Sequence, residues 1–141
     1  MTLEEIDASL PAGFHDAWIK SIAADYTKRR AMIELDIWIA EGPDDDEVQR
    51  NAYRPAEVMI EGLQFLAMEP PVSRPQAPTA MGLEVDFEAG PQKWTHASQR
   101  HLPKDCFASR FYVHAWCSFI YVAARTAALA WKGNAYDVRR A

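Results

Sequence analysis

Cysteine is nearly absent from this chain. Cys106 and Cys117 are the only two among 141 residues, too few for the disulfide framework that staples small secreted domains. Both are expected as reduced, partly buried thiols. Glycine is also scarce: the six glycines stand scattered at 13, 42, 62, 82, 90 and 133. No glycine-rich loop leads into a helix, which removes the usual phosphate cradle. No Gly-x-Ser-x-Gly elbow occurs, and neither cysteine sits in a catalytic sequence context. A long apolar run is missing too. The richest stretch, Phe111 to Trp131, is broken by His114 and Arg125, so no membrane-spanning helix is expected. The opening Met1-Thr2-Leu3-Glu4-Glu5-Ile6-Asp7 is acidic where a secretory leader would be basic. These absences lead to the expectation of a cytoplasmic protein with no membrane attachment.

What is present points to a packed fold. Apolar residues make up 49% of the chain, enough for a core without metal or disulfide help, and the length suits one domain over 1–141. The net charge of −5 is unevenly spread: residues 1–88 carry 18 acids and 7 bases, residues 89–141 carry 2 acids and 8 bases. A sheet that pairs distant segments would place these opposite charges side by side.

Hydrophobic periodicity supplies the fold class. Thr2-Leu3-Glu4-Glu5 has the capping-box form and predicts a short helix to about Ser9, ended by Pro11-Ala12-Gly13. A period of two then runs through 16–25 and 30–40, reading as a hairpin. In the first arm Ala17, Ile19, Ser21 and Ala23 share one parity, with Trp18, Lys20, Ile22 and Ala24 on the other. Tyr53 to Ile60 and Gly62 to Met68 form a second apolar pair, split by a tight turn or bulge at Glu61-Gly62. Pro70, Pro71, Pro75 and Pro78 mark a surface connector. Leu83, Val85 and Phe87 alternate with Glu84, Asp86 and Glu88 as a strand with one buried face. Further strands are expected over 107–114 and 119–126. For 123–131 the alanine-rich string also suits a helix. The expected fold is mainly β, a single-domain sandwich or curved antiparallel sheet of six to eight strands with a short N-terminal helix; the alternative is α+β with a C-terminal helix.

The chemistry-bearing residues give few signals. His96, His101, Cys106, His114 and Cys117 lack the short ligand spacings of a zinc site, and His114 and Cys117 would face opposite ways on a strand. No metal or other cofactor is therefore expected. His15-Asp16 could act as a base and its orienter, yet neighbours on a strand diverge unless a turn bends them. The preferred reading is structural, with Asp16 accepting backbone hydrogen bonds in the turn and His15 at the edge of the core. No catalytic set is expected; His15, Asp16 and His114 are the candidates should the chain be an enzyme. Asp44-Asp45-Asp46-Glu47 lacks the alternating ligands of a calcium loop and reads as a solvated acidic loop. Arg100, Lys104, Arg110 and Arg125, interleaved with Phe107, Phe111, Tyr112 and Trp116, could contact nucleic acid. The acidic balance of the chain argues against that partner.

One resemblance bears on function. Leu10-Pro11-Ala12-Gly13-Phe14-His15-Asp16-Ala17, the later Tyr53-Arg54-Pro55-Ala56 and Gly62-Leu63-Gln64-Phe65-Leu66 followed by Pro70-Pro71, and the closing Phe119-Ile120-Tyr121-Val122-Ala123-Ala124 with Leu129 and Trp131 resemble small uncharacterised bacterial β-rich domains, including immunity-protein-like families. The resemblance implies action by binding a protein partner, with no catalytic residues. On that reading Trp18, Trp38 and Trp94 are candidate binding anchors and Asp44, Asp45, Asp46 and Glu47 steer a basic partner. Two rivals stand beside it: a small-ligand-binding domain or hydrolase built on His15, Asp16 and His114, and a self-associating module that pairs open strand edges into a homo-oligomer.

Overall fold

The computed structural model describes residues 1–39, 51–72, 81–90 and 102–138. The chain opens with helix α1 (Leu3–Ser9), started by a complete capping box: Glu5 N donates to Thr2 Oγ1 at 3.1 Å, and Thr2 N donates to Glu5 Oε2 at 2.7 Å. Its inner face buries Leu3 and Ile6, worth about 1.5–3 kcal/mol each in apolar transfer. Everything else regular is strand: β1 (Ala17–Asp25), β2 (Arg30–Trp38), β3 (Ala52–Glu61), β4 (Phe65–Met68), β5 (Leu83–Ala89), β6 (Phe107–Val113), β7 (Ser118–Ala124), β8 (Thr126–Trp131) and β9 (Tyr136–Asp137). They form one antiparallel sheet in the order β4-β7-β6-β5-β1-β2-β3-β8, with β9 added beside β3. The protein is thus mainly β with one short N-terminal helix. The segment 123–131 is strand, because β8 finds a full ladder on β3 from Ala56↔Trp131 to Glu61↔Thr126; pairing outweighs the helix propensity of its alanines.

The sheet curls because two chain segments turn the same corner. β3 runs through Gly62 into β4, and β7 runs through Arg125 into β8. At the corner Arg125 N lies 3.2 Å from Glu61 O and 3.3 Å from Gly62 O. Gly62 holds a φ of +65° there, in the left-handed region that glycine enters without penalty. The inner face gathers the core: Ile33, Leu35 and Ile37 from β2, Val58 and Ile60 from β3, Val85 from β5, Phe111 and Val113 from β6, Ile120 and Val122 from β7, with Leu3, Ile6 and Phe14 from the N-terminal segment.

One expected alternation is corrected. A β-bulge shifts the register of β1 between Ile19 and Ser21, so the buried parity changes strand face midway. Ala17 and Ile19 are buried, whereas Ser21 and Ala23 are exposed and Ile22 joins the core edge, opposite Ile33. The extra residue, Lys20, is thereby turned to the outer face, where its ammonium lies 2.9 Å from Asp36 Oδ2.

Opposite charges from the two halves of the sequence do meet within this sheet. Glu88 stands opposite Arg110 across the β5–β6 ladder, with both carboxylate oxygens 2.9 Å from Arg110 Nη2. Lys132 Nζ lies 3.6 Å from Glu57. Among the described residues no helix is long and apolar enough to cross a membrane.

A histidine and carboxylate cluster on the outer face of the sheet

Among the described residues, the outer face of β1, β5 and the end of β6 gathers two histidines and three carboxylates. β5 skips back to pair with the start of β1, Ala17↔Val85 and Ile19↔Leu83, and on its other edge with β6, Val85↔Val113. Val85 faces the core, so Glu84 and Asp86 face outward on either side of it. His114 follows the end of β6, its amide donating to Glu84 O at 3.1 Å. His15 and Asp16 arrive from the turn before β1.

That turn is built by a different carboxylate from the one expected. Asp7 Oδ1 accepts from Phe14 N at 2.7 Å, so Asp7, at the end of α1, closes the loop that Asp16 was expected to close. Asp16 itself has a φ of +57°, a conformation that aspartate tolerates better than most residues. The bend brings the two neighbouring side chains together: His15 Nε2 lies 3.2 Å from Asp16 Oδ2. Tyr53, buried on β3, donates its hydroxyl to Asp16 O at 3.3 Å and holds the bend from the far side.

Asp86 is the hub. Its Oδ1 lies 2.5 Å from His15 Nδ1 and its Oδ2 lies 2.9 Å from His114 Nε2, so one carboxylate engages both imidazoles. The sequence separates His15 from Asp86 by 71 residues. His15 is clamped at both ring nitrogens by carboxylates. The hydrogen bond to Asp86 raises its pKa above the ordinary imidazole value, outweighing the partial burial that would lower it. Burial works against the charged form of Asp86, but the hydrogen bond and charge of His15 prevail and hold the carboxyl below its ordinary value. Glu84 moves the other way: burial, then a hydrogen bond with Asp16 and its negative charge, push its pKa up. Two sets of three potential ligands lie with their donor atoms within 4.8 Å of one another: His15, Asp16 and Asp86, and Asp16, Glu84 and His114.

Beside this cluster the same face buries a second carboxylate. Asp36 is fully buried, between Lys20 Nζ at 2.9 Å and the Tyr136 hydroxyl, which donates to Oδ2 at 2.5 Å. Burial and then the hydrogen bond to Asp36 drive the Tyr136 hydroxyl far above its ordinary pKa. Its neighbour on the same face, Trp38, has its ring centroid 6.1 Å from that of His15.

Of the residues singled out in the sequence, His15, Asp16 and His114 come together. Trp18 and Trp38 are half-buried on the outer face, Trp18 lying between Asp36 and Glu84 across the ladders. Trp94, Asp44, Asp45, Asp46 and Glu47 lie outside the described residues, as do His96, His101 and Arg100. Neither cysteine is in a disulfide; Cys106 is half-buried, whereas Cys117, expected to be partly buried, is exposed. His114 and Cys117 sit in the turn between β6 and β7 rather than on one strand. Of the residues considered for nucleic acid, Phe111 is in the core, Arg110 engages Glu88 and lies 3.8 Å over the Phe119 ring, and Arg125 pairs with Asp105, whereas Lys104 is exposed. Glu84 and Asp86 were missed as site residues. Their signal was the outward parity of β5; what the sequence could not supply was that β5 lies against β1. Comparison with protein-family models, with curated proteins and with solved structures finds no match.

Proposed function

We propose that this domain binds a small ligand at the Asp86 cluster and acts on it by hydrolytic acid–base chemistry. The observation that carries this reading is the convergence of His15 and His114 on the two oxygens of Asp86. The environments of the neighbouring groups divide the roles, as they do wherever titratable pairs are pushed apart. His15, held between two carboxylates that favour its protonated form, is the acid once a ligand displaces Asp16 from Nε2. Asp16, 3.2 Å from His15 Nε2, is the carboxylate placed to accept a proton from water. The His15 side chain is 59% exposed, so a ligand reaches it directly. Carboxylates outnumber imidazoles here, which favours a ligand rich in hydrogen-bond donors, such as a sugar, an amide or an amino ester, over a polyanion.

The test is hydrolysis of chromogenic esters, amides and glycosides, with and without added Mn²⁺ or Zn²⁺, by wild type and by Asp86→Asn. Turnover that falls at least ~10²-fold in the variant, with unchanged circular dichroism, supports the reading. Equal rates, or no turnover of any of these substrates under either condition, sink it.

Binding of a protein partner is the second reading, with an immunity-like role as its concrete form. One observation favours it. A cleft of about 460 Å³ opens between β1 and β4, lined by Ile22, Leu66, Leu83 and Ile120, with Tyr26 and Met68 exposed at its rim. Beyond Ile19, β1 pairs only with β2 among the described residues. An extended segment of a basic partner could add to that edge and seat alternate side chains in the cleft. A peptide alternating lysine and valine is the probe: saturable binding that Met68→Asp weakens supports this reading, and no binding removes it. A dimer in light scattering that Met68→Asp dissociates would assign the edge to a second copy instead.

A further inference from the structure

We propose that Asp16, Glu84 and His114 form a binding site for one divalent transition-metal ion, with Asp86 orienting the histidine ligand. The inference rests on the reading of this cluster as the working site and names the ion that would serve it.

Three geometric facts carry it. The donor atoms of Asp16, Glu84 and His114 lie within 4.8 Å of one another. Ligands about 2.1 Å from a common ion stand roughly 3–4 Å apart, so closure needs only small side-chain movements. Next, the three ligands come from three separate segments fixed by the sheet: the bend before β1, the start of β5 and the end of β6. They are also backed by backbone contacts, since His114 N donates to Glu84 O and Tyr53 holds Asp16 O.

The third fact concerns the imidazole. A ligating histidine almost always gives its other ring N–H to a carboxylate, which fixes the ring and raises the basicity of the metal-binding nitrogen. Here Asp86 Oδ2 holds His114 Nε2 at 2.9 Å, and Tyr112 packs against the ring edge-on with centroids 5.4 Å apart. With Nε2 held by Asp86, Nδ1 is the nitrogen we assign to the ion. Asp86 is in turn pinned by His15 at its other oxygen, so the outer partner of the ligand has a partner of its own. Without an ion, the negative charge of Asp16 beside Glu84 works against the charged form of Glu84; an ion between them would relieve that repulsion.

Two carboxylates and one imidazole make a borderline set, suited to Mn²⁺, Fe²⁺ or Zn²⁺, poorer in oxygen than Ca²⁺ requires and lacking the thiolates of a structural zinc site. Three protein ligands leave positions open to water or to the ligand, as hydrolysis would need.

The experiment is titration of EDTA-treated, dialysed protein with Mn²⁺ and with Zn²⁺, followed by calorimetry. One equivalent is expected to bind, with binding lost in Glu84→Gln and in His114→Gln, weakened about 10–100-fold in Asp86→Asn, and unchanged in Cys117→Ser. Mn²⁺ added to the wild type in nuclear magnetic resonance supplies a reading that needs no variant: the His114 ring signals are expected to broaden before those of Tyr26. No saturable binding of either ion, equal binding by Glu84→Gln, or broadening centred away from His114 overturns the proposal. Hydrolysis that persists in EDTA, with no ion bound, would remove the metal and leave the acid–base reading standing. An ion bound without turnover would do the reverse.

Discussion

His15 and His114 reach one another through a single carboxylate: Asp86 Oδ1 lies 2.5 Å from the first and Oδ2 2.9 Å from the second. This is an ion network held across two strand ladders, and its stability must follow pH. The folded-state pKa of His15 is raised above its ordinary value, so its contribution is complete below about pH 6.5 and is lost as pH rises through the folded value. Asp86 is lowered, so its contribution is complete above about pH 4 and is lost as pH falls through its own folded value. The pair therefore helps most between about pH 4 and 6.5. Because both groups are partly exposed, the effect is under about 1 kcal/mol. Urea midpoints of wild type and His15→Gln in metal-free buffer should differ in that window and converge towards pH 9. A constant gap across the range would contradict it.

The aromatic cluster beneath the site gives a larger and more conventional effect. Phe14 is fully buried, with its ring centroid 5.4 Å from Phe87 and 5.7 Å from Phe111, the latter pair edge-on at 74°. Phe14 thus ties the turn that carries His15 to β5 and β6. Phe14→Ala should cost about 3–5 kcal/mol in denaturant unfolding, and it should also loosen the His15–Asp86 contact. A loss below about 1 kcal/mol would show that the loop does not depend on this anchor.

How much of this could be read from the chain follows from the range of each interaction. The capping box of Thr2 and Glu5 is complete within four residues, and the hairpin of β1 and β2 is joined by a short turn; both were legible. The Lys20 bulge was not, because alternation alone cannot say where a strand gains a residue; the buried Asp36 that receives the Lys20 ammonium explains it after the fact. The strand state of 126–131 depended on β3, more than sixty residues earlier. The candidate site was half visible. His15, Asp16 and His114 stood out by residue type, while Glu84 and Asp86 looked like the wet face of an ordinary strand until β5 was seen to lie against β1.

The corner shared by Gly62 and Arg125 makes a backbone prediction. A Cβ on Gly62 would come within 2.8–2.9 Å of Arg125 Cβ, Cγ and Cδ, and the residue would keep a φ of +65°. Gly62→Ala should then cost about 1–2 kcal/mol for the left-handed backbone, with crowding of the corner added. Gly90 has a φ of +85° and nothing within 4 Å of its would-be Cβ, so Gly90→Ala carries the backbone penalty alone. Thermal melts should rank Gly62→Ala below Gly90→Ala. The reverse order would mean that Arg125 swings away freely and that the corner is not tightly packed.

Asp36 offers the sharpest test of how the outer face is held. It is fully buried, yet Lys20, its cationic partner, is 45% exposed, and the Tyr136 hydroxyl supplies the other contact to the same oxygen. Removing the cation leaves a buried carboxylate with a single phenol donor. Breaking a fully buried pair costs about 3–5 kcal/mol; solvent access to Lys20 brings the expected loss for Lys20→Met down to about 2 kcal/mol. Asp36→Asn in the Lys20→Met background should recover most of it, because an amide needs no counter-charge. Tyr136→Phe should cost about 1.5–3 kcal/mol, the value of a hydrogen bond to a charged group. The decisive measurement is the double variant in urea. If it is no more stable than Lys20→Met alone, the unpaired charge is not the source of the loss, and Lys20 acts instead through the bulge that sets the register of β1.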